Sequence, residues 1–428
     1  MTAQPVIHRR AALLAAAGLG LSINFLGRRA FAAADGALSQ RKLVVFICRG
    51  AMDGLSVSPP VGDPDYAGLR GEIAIAGFGA PSGALKLDDT FGLHPKLVAV
   101  HALAMKGQAR IAPAVASPDR ARSHFEAQDM LESGTATVYA ESSGWLNRAM
   151  QAMGPARRVQ ALSVGGQAPL ILRGPVQAAS WSPGGYRDRD ARLPAILADL
   201  YAGDALLGPA LASGLETEAM AKIATAAPAQ PPAIALAPAV QPMTAMASQA
   251  GAGNARAGDA AARALGVTLA QFMIEPNGPQ IAVVSLDNFD THANQGGAEG
   301  QLANRLAYLD AAIDGLSNGL GGQWDNTVVL VATEFGRTAR INGTKGTDHG
   351  TGSTALVLGG GLKRGGIIGD WPTLAPARLF ENRATWPALD IRALFKGVLA
   401  EQLGVDRRSL DTVVFPGSAG LEPLRGIV

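Results

Sequence analysis

Short apolar runs rich in β-branched residues punctuate the chain at Leu43–Ile47, Ile281–Leu286, Thr327–Ala332 and Thr354–Leu358. They are continuous and do not alternate with polar residues, as a strand covered on both faces requires. Helix-period stretches lie between and after them, at Lys96–Met105, Gly300–Leu316 and Leu389–Leu403. Alternation of the two kinds predicts an α/β fold with a mostly parallel central sheet flanked by helices. Leu193–Ala224 and the Ala-rich Ala255–Phe272 also read as helical, but Thr225–Val240 between them carries no charge. Pro228, Pro231, Pro232, Pro238 and Pro242 interrupt backbone hydrogen bonding there. Residues from about 155 to 275 therefore read as a helical or irregular insertion in one domain spanning 41–428.

The first 34 residues follow a different pattern. His8-Arg9-Arg10 precedes the apolar run Ala11–Leu21, and Ala30-Phe31-Ala32 offers a small-residue cleavage site. Charged head, greasy core and small-residue site are the parts of a secretory signal. The paired arginines fit the twin-arginine variety, so the export machinery of that pathway is the expected partner and the periplasm or exterior the destination. Ala11–Leu26 has only 16 residues, short of the about 20 strongly apolar residues that cross a bilayer.

Composition narrows the function classes. A 48% hydrophobic content suits a well-buried protein, and 53 Gly with 26 Pro imply many structured turns. A net charge of +2 with 5% aromatics argues against nucleic-acid binding, which needs a basic face and stacking platforms. Cys48 is the single cysteine, so it forms no internal disulfide and reads as buried filler.

The ionisable residues gather just beyond the predicted strands, where ligands collect in parallel sheets. Asp53 follows the first run; Asp287, Asp290 and His292 follow the second; Glu334 and Arg337 follow the third. Asp348 and His349, inside a Gly-rich stretch, precede the fourth. Asp and neutral His suit Zn, Mn and related divalent ions, so Asp53, Asp290, His292, Asp348 and His349 form a candidate metal set. Each has a plainer reading: Asp53 as a turn or helix cap, His292 as a local hydrogen-bonding group. Ser123 reads as a helix N-cap or as a nucleophile, with His124 beside it. Arg337 could fork hydrogen bonds to phosphate or sulfate while Glu334 orients it, or the two could form a salt bridge. Arg49 and Arg122 are further anion-binding candidates, and His94 either faces the site or belongs to a helix start at Pro95.

Five segments together resemble a bacterial family of exported proteins known as domain of unknown function 1501. They are Phe46-Ile47-Cys48-Arg49-Gly50-Ala51-Met52-Asp53-Gly54-Leu55, Ser123-His124-Phe125-Glu126-Ala127-Gln128, Asp290-Thr291-His292-Ala293-Asn294-Gln295, Thr333-Glu334-Phe335-Gly336-Arg337-Thr338 and Gly346-Thr347-Asp348-His349-Gly350. That family is similar to the alkaline phosphatase and sulfatase superfamily. The resemblance implies an alkaline-phosphatase-like fold with one or two divalent metals of type Zn, Mn or Ca. It further implies metal-ligand roles for Asp53, Asp348 and His349, an intervening ligand loop of Asp290 and His292 with Asp287 as alternative, and Ser123 as the hydroxyl nucleophile. No histidine follows His349, so a two-zinc arrangement would draw on His94 or His124. Cys48-Arg49-Gly50-Ala51-Met52 lacks the Cys-x-Pro/Ala-x-Arg context of formylglycine sulfatases. The expected function is an exported metal-dependent hydrolase or transferase of a phosphate or sulfate ester, of small-molecule or polymer type, with a metal-activated serine or water nucleophile. The competing expectation is a noncatalytic ligand-binding or assembly protein of the cell envelope.

Overall fold

A computed structural model describes residues 38, 40–153, 161–164, 169–181, scattered positions between 201 and 217, 243–275 and 278–428. The expected signal segment, most of Leu193–Ala224 and all of Thr225–Val240 lie outside the described residues. Along the chain run β1 (Lys42–Cys48), α1 (Gly54–Val57), α2 (Tyr66–Arg70), β2 (Leu85–Lys86), β3 (Gly92–Leu93), α3 (Val98–Met105), β4 (Ala109–Ala116), α4 (His124–Ser133) and α5 (Trp145–Ala152). They continue as β5 (Ala161–Val164), β6 (Ala178–Trp181), α6 (Met243–Ile274), β7 (Ile281–Leu286), α7 (Gln301–Leu320), β8 (Thr327–Ala332) and β9 (Ser353–Leu358). The last are β10 (Gly366–Ile367), β11 (Leu389–Asp390) and α8 (Ile391–Leu403). Among the described residues no helix is long and apolar enough to cross a membrane.

All four predicted strands form. They sit in a nine-stranded sheet of order β10-β4-β9-β8-β1-β7-β5-β6, with β11 also paired to β4. β1 lies parallel between β7 and β8, Val45 opposite Val283 on one side and Leu330 on the other. Its continuous apolar run is explained by burial on both faces. Val44, Phe46 and Cys48 enter one core and Leu43, Val45 and Ile47 the other. Burying each such large side chain contributes about 1.5–3 kcal/mol before entropy is counted.

The first core lies under α6 and α7, which supply Leu265, Leu269, Phe272, Leu306, Leu309 and Ile313. These helices touch closely because Gly266 and Gly315 lack side chains; a Cβ on Gly266 would sit 2.1 Å from the Ala312 carbonyl oxygen. In the second core Trp145 stacks on Phe395 and Phe415 at centroid distances of 4.9 and 5.6 Å.

The strand β4 was not among the expected strands. Its sequence is short of β-branched residues and contains Pro113, which cannot donate to a ladder. A shift of register between Ala112 and Val115, with Ala114 at φ 56°, accommodates it as a bulge.

Strand direction determines where the loops go. β9 is antiparallel to both β8 and β4, so β4 runs parallel to β8 and β1. The carboxyl ends of β1, β4, β7 and β8 therefore share one edge with the start of β9. That edge collects Arg49–Asp53, Ser117–His124, Asp287–Gln295, Thr333–Arg337 and Gly346–Gly352.

Candidate metal centre

His124 is the first residue of α4, and Ser123 is its N-cap with φ −92° and ψ 122°. The Ser123 hydroxyl makes no capping bond to the helix. His349 lies on a short antiparallel bridge to Arg337. Glycines permit that bridge: Gly350 donates to the Gly336 carbonyl at 2.8 Å, and a Cβ on Gly350 would lie 2.3 Å from Arg337 backbone atoms.

His124, Asp290 and His349 offer ligand atoms that all lie within 4.8 Å of one another. Around Asp290, the Nε2 atoms of His124 and His349 stand 3.5 Å away and that of His292 3.1 Å. His292 Nε2 and His349 Nε2 are 3.0 Å apart. The rings of His124 and His349 meet edge to face at 4.4 Å, and Phe335 stacks on His124 at 5.0 Å.

Each imidazole is gripped at its other nitrogen by an oxygen. His124 Nδ1 lies 2.8 Å from Glu334 Oε1, His349 Nδ1 3.0 Å from the Arg122 carbonyl, and His292 Nδ1 3.3 Å from Asp348 Oδ1. A proton on each Nδ1 leaves each Nε2 with a bare lone pair aimed into the cluster. Among the described residues, the buried Nε2 of His124 has no hydrogen-bond partner.

Electrostatics follow from these contacts. The Glu334 hydrogen bond raises the His124 pKa, whereas burial, with the neighbouring His124 and Arg337 charges, lowers that of His349. Burial pushes the Glu334 carboxyl up, but the His124 bond and donors including the Gly50 N–H hold it below its ordinary range. Burial likewise works against ionised Asp290, but the Arg337 guanidinium, with His292 and His124, holds its pKa below the ordinary value. Asn342, donating to Asp348 at 3.0 Å, is the main reason that carboxyl is held low.

The remaining expected site residues take other places. Asp53 is buried as the N-cap of α1, accepting from Leu55 N at 3.2 Å, Ser56 Oγ at 2.9 Å, Gln295 Nε2 at 2.7 Å and from Arg70. Its charge is paired with that guanidinium. Arg337 is 1% exposed and donates to the carbonyls of Ala51 at 2.9 Å, Thr347 at 3.0 Å and Gly50 at 3.2 Å, and to Asp290. It is committed to holding the loops and Asp290, with no face open to a ligand. Asp287 is exposed beyond β7. Asp348 reaches the cluster through His292. Arg49 is engaged by Gln128 at 3.2 Å and by Glu132. His94 is buried, donates from Nε2 to the Gly297 carbonyl at 3.0 Å and accepts from Lys96 N, and burial pushes its pKa down to about 4. Cys48 is buried, and burial, followed by the Glu334 charge, pushes its thiol pKa up.

Glu334 touches His124 rather than Arg337, and the Arg122 main-chain carbonyl on His349 went unanticipated. No residue pattern encodes a carbonyl's direction; Asn342 was likewise missed, although the Asn342-Gly343-Thr344 stretch is a turn signal.

A family model described as "Protein of unknown function (DUF1501)" matches residues 40–414. No curated protein matches the chain. Among solved structures, the lipoteichoic acid synthase LtaP from Listeria monocytogenes is similar at 9% identity, covering 96% of this chain and 82% of its own, with a TM-score of 0.41. The C-terminal periplasmic domain of EcEptC from Escherichia coli, in complex with Zn, is similar at 10% identity over 77% and 76%, TM-score 0.31. The phosphonate monoester hydrolase of Agrobacterium radiobacter is similar at 12% identity over 74% and 68%, TM-score 0.28. These are distant likenesses.

Proposed function

The chain belongs to the DUF1501 family, and from that premise we propose that it is a metal-dependent hydrolase or transferase of phosphate or sulfate esters. The observation that carries the reading is the convergence of His124, Asp290 and His349 on one point, with His292 beside them. With the Nδ1 atoms of both rings protonated, the His292 and His349 Nε2 lone pairs, 3.0 Å apart, would repel, and a positive charge between them removes that repulsion. Two nitrogens on one tetrahedral zinc are separated by about 3.3 Å, given Zn–N bonds of about 2.0–2.1 Å. The donor set thus fits one divalent cation of Zn or Mn type, held by His124, Asp290 and His349 with His292 as a further donor.

Such a cation, when bound, supplies Lewis-acid stabilisation of charge on a nonbridging ester oxygen. The protein groups supply the rest. The N-terminal turn of α4 presents backbone N–H groups and the positive end of its dipole to an anion. Ser123, uncapped at that turn, provides the attacking oxygen: a bond forms from its Oγ to phosphorus or sulfur, the ester's bond to its alcohol breaks, and the serine proton leaves with the alcohol. Arg337 keeps Asp290 ionised and in place, and Glu334 and Asp348 orient His124 and His292. Export by the twin-arginine machinery belongs to the same proposal and rests on residues 1–34.

The test joins metal analysis to turnover. Purified protein reconstituted with Zn or Mn is expected to hold one ion per chain and to cleave 4-nitrophenyl phosphate or sulfate. Ser123→Ala is expected to keep the ion and lose activity at least about 100-fold. Absence of stoichiometric divalent metal would sink the proposal; full activity in Ser123→Ala would remove the serine and leave water as nucleophile. Cell fractionation with Arg9-Arg10 changed to Lys-Lys tests export, since a periplasmic yield equal to wild type would refute the twin-arginine route.

A further inference from the structure

The turn preceding α4 is tied to the same cluster in a way the proposed reaction does not use. Asp119 is buried, and its carboxylate accepts from Ala121 N at 3.1 Å and Arg122 N at 2.9 Å. Its own N–H lies 3.3 Å from Ser117 Oγ, which donates to the Glu334 carbonyl at 2.9 Å. The turn is thereby anchored to the residue that orients His124. Arg122 sits at φ 60°, a left-handed conformation that a non-glycine residue adopts only when its surroundings hold it there.

What holds it is visible at both ends. Asp119 fixes its N–H, and Glu381 pairs with its guanidinium. Glu381 and Asn382, at φ 53° and 54°, are the tip of a tight turn closed by the Phe380–Ala384 bridge. That turn also reaches His349, because Arg383 donates to the His349 carbonyl at 2.7 Å. The left-handed backbone of Arg122 aims its carbonyl at His349 Nδ1, 3.0 Å away.

We propose that Asp119, Arg122 and Glu381 are positioning residues that lock His349 in the Nδ1–H form, so that its Nε2 lone pair is presented to a divalent cation before any cation arrives. The inference rests on the proposed metal centre for its purpose, and on hydrogen-bond geometry alone for its mechanism. A carbonyl is only an acceptor, so it accepts the Nδ1 proton and leaves Nε2 bare. A fixed carbonyl performs for His349 the task that the Glu334 carboxylate performs for His124, without adding charge.

The experiment reads the tautomer and the metal separately. In metal-free protein labelled with 15N-histidine, the His349 signals are expected to report Nδ1–H with unprotonated Nε2. Glu381→Gln, at an exposed turn where folding is not at risk, and Asp119→Ala are expected to yield a mixture of tautomers. Both are expected to weaken Zn binding about 10–100-fold in a chelator competition. The charge exchange Arg122→Glu with Glu381→Arg is expected to restore part of that affinity, which a purely structural role would not do. Tautomer and affinity unchanged in Glu381→Gln and Asp119→Ala would overturn the inference while leaving the metal centre standing. Failure of wild type to bind Zn would remove the metal centre, and the 15N readout would still decide whether the lock exists.

Discussion

The Nε2 atoms of His292 and His349 face each other at 3.0 Å, with Asp290 within 3.5 Å of both. An arrangement in which two imidazoles and a carboxylate point inward, each ring tied down behind, is a donor set that a bound cation stabilises. Metal-free protein is therefore expected to melt lower than metal-loaded protein, by an amount that grows with free metal as RT ln(1 + [L]/Kd). Differential scanning fluorimetry across a Zn titration checks this, and a melting temperature indifferent to Zn would count against the site.

Removing a ligand separates the inward groups from their supports. His349→Ala and His124→Ala are each expected to weaken metal binding by more than the about 10–100-fold typical of an orienting partner. Asp348→Asn, which acts through His292 Nδ1, is expected to fall inside that range. Calorimetric titration with Zn ranks the three, and Asp348→Asn proving worst would place Asp348 among the ligands.

Glu334 is fully buried and accepts from Gly50 N, Ala51 N and His124 Nδ1 at 2.8, 3.1 and 2.8 Å. Glu334→Ala would strand those donors, at about 1–3 kcal/mol for each unsatisfied group. Chemical denaturation is expected to show a midpoint loss in Glu334→Ala much larger than in Glu334→Gln, with metal affinity reduced in both.

The buried pair Asp53–Arg70 supplies the clearest division between scaffold and site. Side chains at 1% and 0% exposure make the loss of either partner worth about 3–5 kcal/mol. Arg70→Met is expected to destabilise by that amount and to leave metal stoichiometry unchanged in whatever fraction folds. Asp53→Asn with wild-type melting and no bound metal would restore Asp53 to the ligand set that the family resemblance implies.

Asp310 on α7 caps the first turn of α3, accepting from Ala99 N at 3.0 Å and Val100 N at 2.9 Å. Burial pushes its pKa from 3.8 up to about 6. A carboxyl raised in the folded state binds its proton more tightly there than in the unfolded chain. Its contribution to stability is thus complete below about pH 4 and is lost as pH rises through about 6, about 3 kcal/mol in all. The stability of wild type relative to Asp310→Asn is expected to fall as pH rises across that window; a constant difference by denaturant titration would refute the assignment.

Some of this was legible along the chain and some was not, and the boundary is physical. Strands β1, β7, β8 and β9 were readable because a strand buried on both faces must be continuously apolar, and α7 and α8 because their apolar positions recur at helical period. The placement of Asp290, His292 and His349 beyond or before those strands was readable for the same reason. β4 was not, since its bulge at Ala114 and Pro113 lets a weak strand former occupy the sheet. Nor does local pattern show that Asp53 pairs with an arginine 17 residues away. Arg337 has the composition of an anion clamp, yet it is buried and donates to Ala51, Thr347, Gly50 and Asp290. Sequence by itself determined the α/β class and which loops hold the candidate ligands, because periodicity is local. Only the tertiary structure decided which side chains meet, because strand order and the direction of one carbonyl, that of Arg122, are set by contacts between segments far apart in the chain.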